Sequence, residues 1–541
     1  MSVKGSFTGS ANFRNIKRVR TFVIFSGIIV LAYGIVLAAF SNSGFPVAMK
    51  TGSPFPYLCD KPVGEDAYYM LSVARNIARG RGIVYNGQKK TTGIQPLATF
   101  IYAGFIWIAQ KSGGDEWALV RLILIFGIIT HILLAHVIGR ISRHLAGDDL
   151  SDRAGAYALG YCLALLNFTL FRLSTYGLET PIYLLTLSLS VLMTFGISGG
   201  PRFPWRKAVF LGGLFGVAAL ARVDFLVIAA VFLSIALFRR KVNVWQAALI
   251  GGIALLLVSP WFFWVKSTSG SWVPSSGQAQ SIFMSSRGLL TRLGAMGLSL
   301  ADHMTPWAFE ASRGFLIILG AASCVGAVVW LWRNNREDMN ARLFSSLKKY
   351  PFCLEWAASL TVLVLIYAFF FWAMHFYSRY SAPVLILYLP VLANQVQKRL
   401  EKSRGWIEVG LIAGMLVSFS ATAFMSFHAG AVGNSLTINA GFVQEKFPKS
   451  LRIGAFQSGV LGFFHENVSN LDGKIDASAL RHLQSRSMAR FLDEEKIEVL
   501  IDWPSYIYSK IDSEYLENQW VIYPEKVPED LSVCLVRKSP R

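Results

Sequence analysis

The sequence predicts an α-helical, polytopic membrane protein carrying a small C-terminal α/β domain. Three observations predict it. Of 541 residues, 53% are hydrophobic and only 16% charged, and the apolar residues gather into repeated runs close to the roughly twenty residues that a helical span requires. The formal net charge of +20 sits mostly in short loops between those runs, where basic residues set topology, so it does not signal a nucleic-acid partner. After about residue 430 the runs shorten, and charges of both signs appear.

The first run, Thr21 to Phe40, follows Arg14, Lys17, Arg18 and Arg20, and no small-residue cleavage site succeeds it before Pro46. It therefore reads as a retained span. Further spans are expected near 117–139, 154–172, 180–197, 207–221, 225–238, 245–263, 313–332, 354–373, 381–397 and 406–426, about eleven in all. Leu97 to Ala109 is apolar but short, and reads as a juxtamembrane helix. With it left out, Arg140/Arg143/Arg153, Arg239/Arg240/Lys241, Lys398/Arg399 and the other basic clusters share the side of the basic N-terminus. That side is then cytoplasmic.

The opposite, outer face collects the loop 41–116, the turn Ser174 to Glu179, the break Arg222-Val223-Asp224, the loop 264–312, the turn His375 to Tyr380 and everything after about 428. In the first of these, Gly64-Glu65-Asp66 opens a helix. Asp66, Tyr69, Met70, Val73, Ala74 and Ile77 share one face, Ser72, Arg75, Asn76 and Arg79 the other, and Gly80-Arg81-Gly82 ends it. Such a helix is expected to lie in the membrane interface, with its polar face in water. Two adjacent carboxylates beside hydrocarbon are the leading candidate site, although an acidic helix start also has a purely structural reading.

Residues 434–541 suggest strands at Leu451–Phe456, Ile497–Ile501, Trp520–Tyr523 and Ser532–Val536 around helices near 476–496. Gly454, Gly459 and Gly462 have the wrong spacing for a dinucleotide-binding loop and read as turn glycines. The five cysteines show no metal-like spacing. Of these, only Cys59 and Cys534 could meet outside the membrane, and the eight histidines form no ligand set. Tyr68, Tyr69, Trp261, Trp264, Trp272 and Trp307 fit an interfacial aromatic belt.

Ordered blocks on the outer face resemble bacterial GT-C glycosyltransferases, polytopic enzymes that use polyprenyl-phosphate-linked sugars. These blocks are Glu65-Asp66-Ala67-Tyr68-Tyr69, Thr92-Gly93-Ile94-Gln95-Pro96-Leu97, Tyr176-Gly177-Leu178-Glu179-Thr180 and Leu220-Ala221-Arg222-Val223-Asp224. Gly270-Ser271-Trp272-Val273-Pro274-Ser275-Ser276-Gly277, Arg379-Tyr380-Ser381-Ala382-Pro383, Arg452-Ile453-Gly454-Ala455 and Asn470-Leu471-Asp472-Gly473 complete the set. Glu65-Asp66 stands where many members have two aspartates, which leaves open which carboxylate is essential.

The resemblance implies a transmembrane catalytic domain over 1–429 and an extracytoplasmic α/β domain over 430–541. It implies sugar transfer, with inversion, from a polyprenyl-phosphate donor to an envelope glycan, lipid or protein. Asp66 is the expected base, with Glu65 assisting or replacing it. Expected substrate-binding residues are Glu179, Arg222, Asp224, Lys266, His375 and Arg379. Arg379 leads for the phosphate, because a guanidinium matches phosphate oxygens with a planar, permanently charged fork. For Arg222 and Asp224 a solvated turn with a local ion pair is the competing reading. Some relatives need a divalent cation, for which Asp66 and Glu179 are the acids to consider. A lipid-linked-glycan flippase or transporter is the alternative class; against it, the conspicuous acids cluster at one face and no matched pair of interrupted helices stands near mid-membrane.

Overall fold

The computed structural model describes residues 8–86, 89–146, 150–195, 203–284, 288–304, 352–371, 377–400, 406–428, 433–528 and 531–538. Its first helices are α1 (Thr8–Phe40), α2 (Glu65–Ala78), α3 (Pro96–Lys111), α4 (Glu116–Leu145), α5 (Leu150–Leu165) and α6 (Phe168–Thr175). They are followed by α7 (Thr180–Phe195), α8 (Trp205–Ala221), α9 (Phe225–Phe238), α10 (Val244–Ser269), α11 (Ser275–Met284) and α12 (Leu289–Met304). Helices at Cys353–Phe370, Tyr377–Ser381, Leu385–Leu400 and Trp406–Phe427 come after them among the described residues. Each expected span within the described residues coincides with helix; the span expected at 313–332 lies outside them.

Among the described residues five helices are long and apolar enough to cross a membrane: Thr21–Phe40, Glu116–Leu145, Val244–Ser269, Cys353–Phe370 and Gly410–Phe427. Asp152–Leu165 and Phe168–Thr175 make a sixth if counted as one span bent by 56°, and Thr180–Phe195 and Phe225–Phe238 are apolar but shorter. The bend has a local cause, because the Asn167 side chain caps α6 by accepting from Leu170 N at 3.0 Å. Large apolar side chains such as Ile24, Phe25, Ile28, Leu256 and Phe263 stay exposed along α1 and α10. A helix satisfies its own backbone, so this apolar exterior suits lipid. The protein is a multi-pass membrane protein.

The α/β domain holds a five-stranded sheet of β1 (Ile453–Ala455), β2 (Val468–Asn470), β3 (Val499–Asp502), β4 (Trp520–Ile522) and β5 (Val533–Arg537), in spatial order β2-β1-β3-β5-β4. β1 pairs parallel with β2 and β3, while β5 runs antiparallel to β3 and β4. Alternation along β3 sends Val499 and Ile501 into the main core and Leu500 into a smaller core on the other face. Because Ile453, Ala455, Val468 and Cys534 join the core that runs through the bundle, the sheet is docked on the helices by shared apolar packing.

That docking changes the reading of α2. It packs against α3 on one side and against the helix Gly459–Phe464 on the other, so Ser72, Arg75 and Asn76 are buried rather than solvated. Arg75 spends its donors on Glu116 Oε1 at 2.6 Å and the Phe463 carbonyl at 2.5 Å, and Asn76 donates to the carbonyls of Val84 and Tyr85. The polar face of α2 thus meets protein, not water. The aromatic belt is corrected in the same way. Tyr68, Tyr69 and Trp261 are core residues and Trp264 donates to the Thr91 carbonyl at 3.1 Å, which leaves Trp272 exposed; Trp307 is outside the described residues. Cys59 and Cys534 are free buried thiols.

Candidate active site

The site is built around the head of α2. Gly64 donates its N–H to the Tyr176 carbonyl at 3.1 Å and lies flat against the Tyr176 ring, where a Cβ would collide. The following Gly177, at φ 80°, lets the turn close to 3.0 Å from where its own Cβ would touch Ala67 and Val63. Tyr102 fixes the same turn through the Leu178 carbonyl at 3.2 Å. These contacts bring Glu179 alongside the first turn of α2.

The two adjacent acids separate in environment. Glu65 accepts the backbone N–H of Gly459 and, at 3.0 Å, that of Val460, so its two oxygens clasp the α/β domain. Burial pushes its carboxyl up to about 7, against the two N–H donors, which favour the charged form. Asp66 accepts no hydrogen bond among the described residues. Its nearest cation is Arg379, with Nη1 3.9 Å from Oδ2 and both side chains about one-sixth exposed (15% and 16%). That is an electrostatic contact, too long for a hydrogen bond.

Arg379 belongs to a stacked network. Its Nη2 donates to the Tyr380 hydroxyl at 3.0 Å, and Tyr380 stacks on Tyr367 with centroids 4.1 Å apart. The Arg222 guanidinium lies 4.7 Å from the Tyr380 ring and 5.3 Å from Tyr183. Burial opposes the charge on Arg379, but Tyr380, Glu179 and Asp66 more than offset it and hold the guanidinium above its ordinary pKa.

Arg222, only 4% exposed, is not the solvated residue of the competing reading. It donates to Asp224 through Nε at 3.1 Å and Nη2 at 2.7 Å, to Glu179 through Nη1 at 3.3 Å, and to the Tyr367 hydroxyl at 3.1 Å. Tyr367 in turn donates to Asp224. Burial works against the Asp224 carboxylate, yet Arg222 and Tyr367 outweigh it and hold its pKa below the usual range.

The structure therefore brings Asp66, Glu65, Glu179, Arg222, Asp224 and Arg379 together. It leaves Lys266 elsewhere: its Nζ closes its own helix end on the Gly270 carbonyl at 2.7 Å and lies 5.8 Å from the Trp272 ring, with no ion pair among the described residues. His375 lies outside the described residues. Three residues escaped sequence reasoning. Tyr380 stands inside a quoted block without a role of its own and Lys474 directly follows one, whereas Tyr367 sits in an apolar run with no signal of its own.

A divalent cation does not suit this donor set. Hard cations want several oxygen ligands, whereas Asp66 is flanked by Arg379 and Lys474, and Glu179 and Asp224 are engaged by Arg222. Among the described residues no three His, Cys, Asp or Glu side chains converge on a metal position.

This chain, a helical membrane bundle with a docked α/β domain, shares the fold of solved GT-C glycosyltransferases. ArnT from Cupriavidus metallidurans, solved bound to undecaprenyl phosphate, superposes with a TM-score of 0.57 at 13% identity, over 95% of this chain and 99% of that one. The oligosaccharyltransferase of Archaeoglobus fulgidus, tethered to an acceptor peptide containing the NVT sequon, gives 0.51 at 11% identity over 96% and 74%. No family model and no curated protein matches the sequence itself.

Proposed function

We propose that this protein is a membrane glycosyltransferase that moves a sugar from a polyprenyl-phosphate-linked donor to an envelope glycan, lipid or protein on the outer face of a bacterial cytoplasmic membrane. The observation that carries the reading is the Asp66–Arg379 pair at the head of α2, a carboxylate that accepts no hydrogen bond among the described residues and is held 3.9 Å from a permanent cation. The undecaprenyl phosphate in the ArnT structure supports the lipid-phosphate chemistry.

In the reaction, Asp66 takes the proton of an acceptor hydroxyl whose oxygen attacks C1 of the sugar. The bond from C1 to the phosphate oxygen breaks, and its electron pair leaves with the polyprenyl phosphate. Arg379 offsets the charge growing on that phosphate through its fork. Attack opposite the leaving group inverts C1. Glu65 clasps the domain rather than the substrate, which makes Asp66 the base of choice. Glu179, Arg222 and Asp224 hold Tyr380 and Arg379 in place.

The test compares envelope glycans by mass spectrometry in a deletion strain complemented with wild-type or Asp66→Asn protein at matched membrane levels. Deletion is expected to remove one sugar that only the wild type restores, because loss of a general base costs roughly a hundredfold to ten-thousandfold in rate. Full restoration by Asp66→Asn would remove Asp66 from the mechanism. An unchanged glycan profile on deletion would remove the transferase reading.

A further inference from the structure

The α/β domain presents the carboxyl ends of its three parallel strands to the head of α2. Phe456, Gln457 and Ser458 follow β1, Leu471 to Lys474 follow β2, and Asp502 ends β3. In sheets of this kind that edge is where ligands bind. Here one anion position is already filled from within the chain, since Glu65 occupies the N–H groups of Gly459 and Val460. Beside it, Asp502 is consumed by the N–H groups of Phe456, Gln457 and Trp503 at 2.7–2.8 Å. Lys474, just past β2 at this same edge, pairs with Asp472 at 3.2 Å and also feels the charge of Asp66.

We propose that Lys474 is a second ligand for the donor phosphate, so that the phosphate is gripped between Arg379 of the bundle and Lys474 of the α/β domain. The proposal rests on the glycosyltransferase reading above and extends it to a residue supplied by the docked domain.

The backbone at Lys474 is fixed from two separate parts of the chain. Ser275 Oγ donates to the Lys474 carbonyl at 2.8 Å, and Thr91 Oγ1 to the neighbouring Ile475 carbonyl at 2.6 Å. Ser275 N donates to Thr92 Oγ1 at 3.1 Å, and Trp264 Nε1 donates to the Thr91 carbonyl at 3.1 Å, which ties the anchors to one another. Gly93 packs so closely on the Lys474 carbonyl that a Cβ has no room. Two segments, Thr91–Gly93 and the start of α11 at Ser275, thus converge on one lysine, more restraint than a surface cation needs.

The side chain is equally constrained. Asp472 takes the Lys474 N–H at 2.8 Å on one oxygen and faces Nζ at 3.2 Å with the other. An ammonium carries three donors, and among the described residues Asp472 is its one ion-pair partner. Burial opposes the charge, but Asp472 and then Asp66 hold Lys474 above its ordinary pKa, so the ammonium persists at every pH of interest. A compact ammonium binds phosphate as a point charge and tolerates the shift of a leaving group, complementing the rigid fork of Arg379.

The experiment titrates undecaprenyl phosphate into the full-length protein in nanodiscs and reads binding by native mass spectrometry, with undecaprenol as the uncharged control. Lys474→Met should bind the phosphate about tenfold to a hundredfold more weakly, the range for one charge-assisted hydrogen bond, while undecaprenol binding stays unchanged and Lys474→Arg recovers most of the loss. Wild-type affinity in a folded Lys474→Met protein overturns the proposal and leaves Lys474 as the partner of Asp472. So does equal loss in folded Lys474→Arg and Lys474→Met. If the wild type fails to prefer the phosphate over undecaprenol, the underlying function reading falls and takes this inference with it. Retained preference in the wild type with no effect of Lys474→Met sinks the inference alone.

Discussion

Replacing Arg222 with methionine tests whether the buried network, rather than apolar packing alone, holds the site together. Four hydrogen bonds vanish, two to Asp224 and one each to Glu179 and Tyr367, together with the stack beneath Tyr380 at 4.7 Å. What remains matters more than what is lost. Glu179, with a side chain 2% exposed, and Asp224, at 19%, are left as acids without their countercharge. Removing one partner of a buried ion pair typically costs about 3–5 kcal/mol, because the other charge keeps its desolvation penalty. Thermal unfolding in detergent should therefore show a drop of several degrees for Arg222→Met. The variant that also carries Glu179→Gln and Asp224→Asn should recover most of it, since no uncompensated charge is left. Arg222→Lys should sit between, because one ammonium cannot fork to both carboxylates. A melting temperature for Arg222→Met equal to that of the wild type would refute the reasoning. So would a triple variant as unstable as the single one, which would assign the loss to packing.

The same geometry makes two further predictions. Glu65 holds a folded-state pKa of about 7 against an ordinary 4.5. Its share of stability is therefore complete below the unfolded value and lost as pH rises through about 7; the fall in melting temperature across that window should flatten in Glu65→Gln, and an unchanged slope would show that another group titrates there. Gly459→Ala places a methyl group against the Glu65 backbone and carboxylate, an overpacking worth about 1–3 kcal/mol; amide exchange across 459–464 should speed up, and wild-type protection would mean that the clasp does not bind the domain.

The fold was legible where hydrophobic patterning is strong. Runs such as Thr21–Phe40 and Glu116–Leu145 announce themselves, and β1, β3, β4 and β5 fall on the expected segments. β2 was not expected, because Val468-Ser469-Asn470 is too short to show a period. The solvated face assigned to α2 failed for a different reason. Periodicity reports which side chains differ in polarity, and it cannot say that a domain almost four hundred residues away in sequence will cover the polar side, as the Arg75–Phe463 and Arg79–Glu466 contacts do. Gly459 and Gly462 show the same limit. Read as turn glycines, they stand inside a helix, where they give room to Glu65 and the Tyr85 hydroxyl.

The candidate site divides along that line. Asp66 could be picked out as one of two adjacent acids beside hydrocarbon, where a charge is costly without a purpose, and Glu179, Arg222, Asp224 and Arg379 through the resemblance of their blocks to GT-C glycosyltransferases. Which acid of the Glu65-Asp66 pair does which job could not, since adjacent helical residues point about 100° apart and only the partners decide. The docked domain supplies those partners. Two backbone N–H groups occupy Glu65 and a lysine approaches Asp66, so that one domain both fixes the first carboxylate and faces the second. Severing the bundle from the domain should therefore disturb chemistry as well as stability, because part of the charge around Asp66 comes from Lys474, whose segment is held by Thr91 and Ser275.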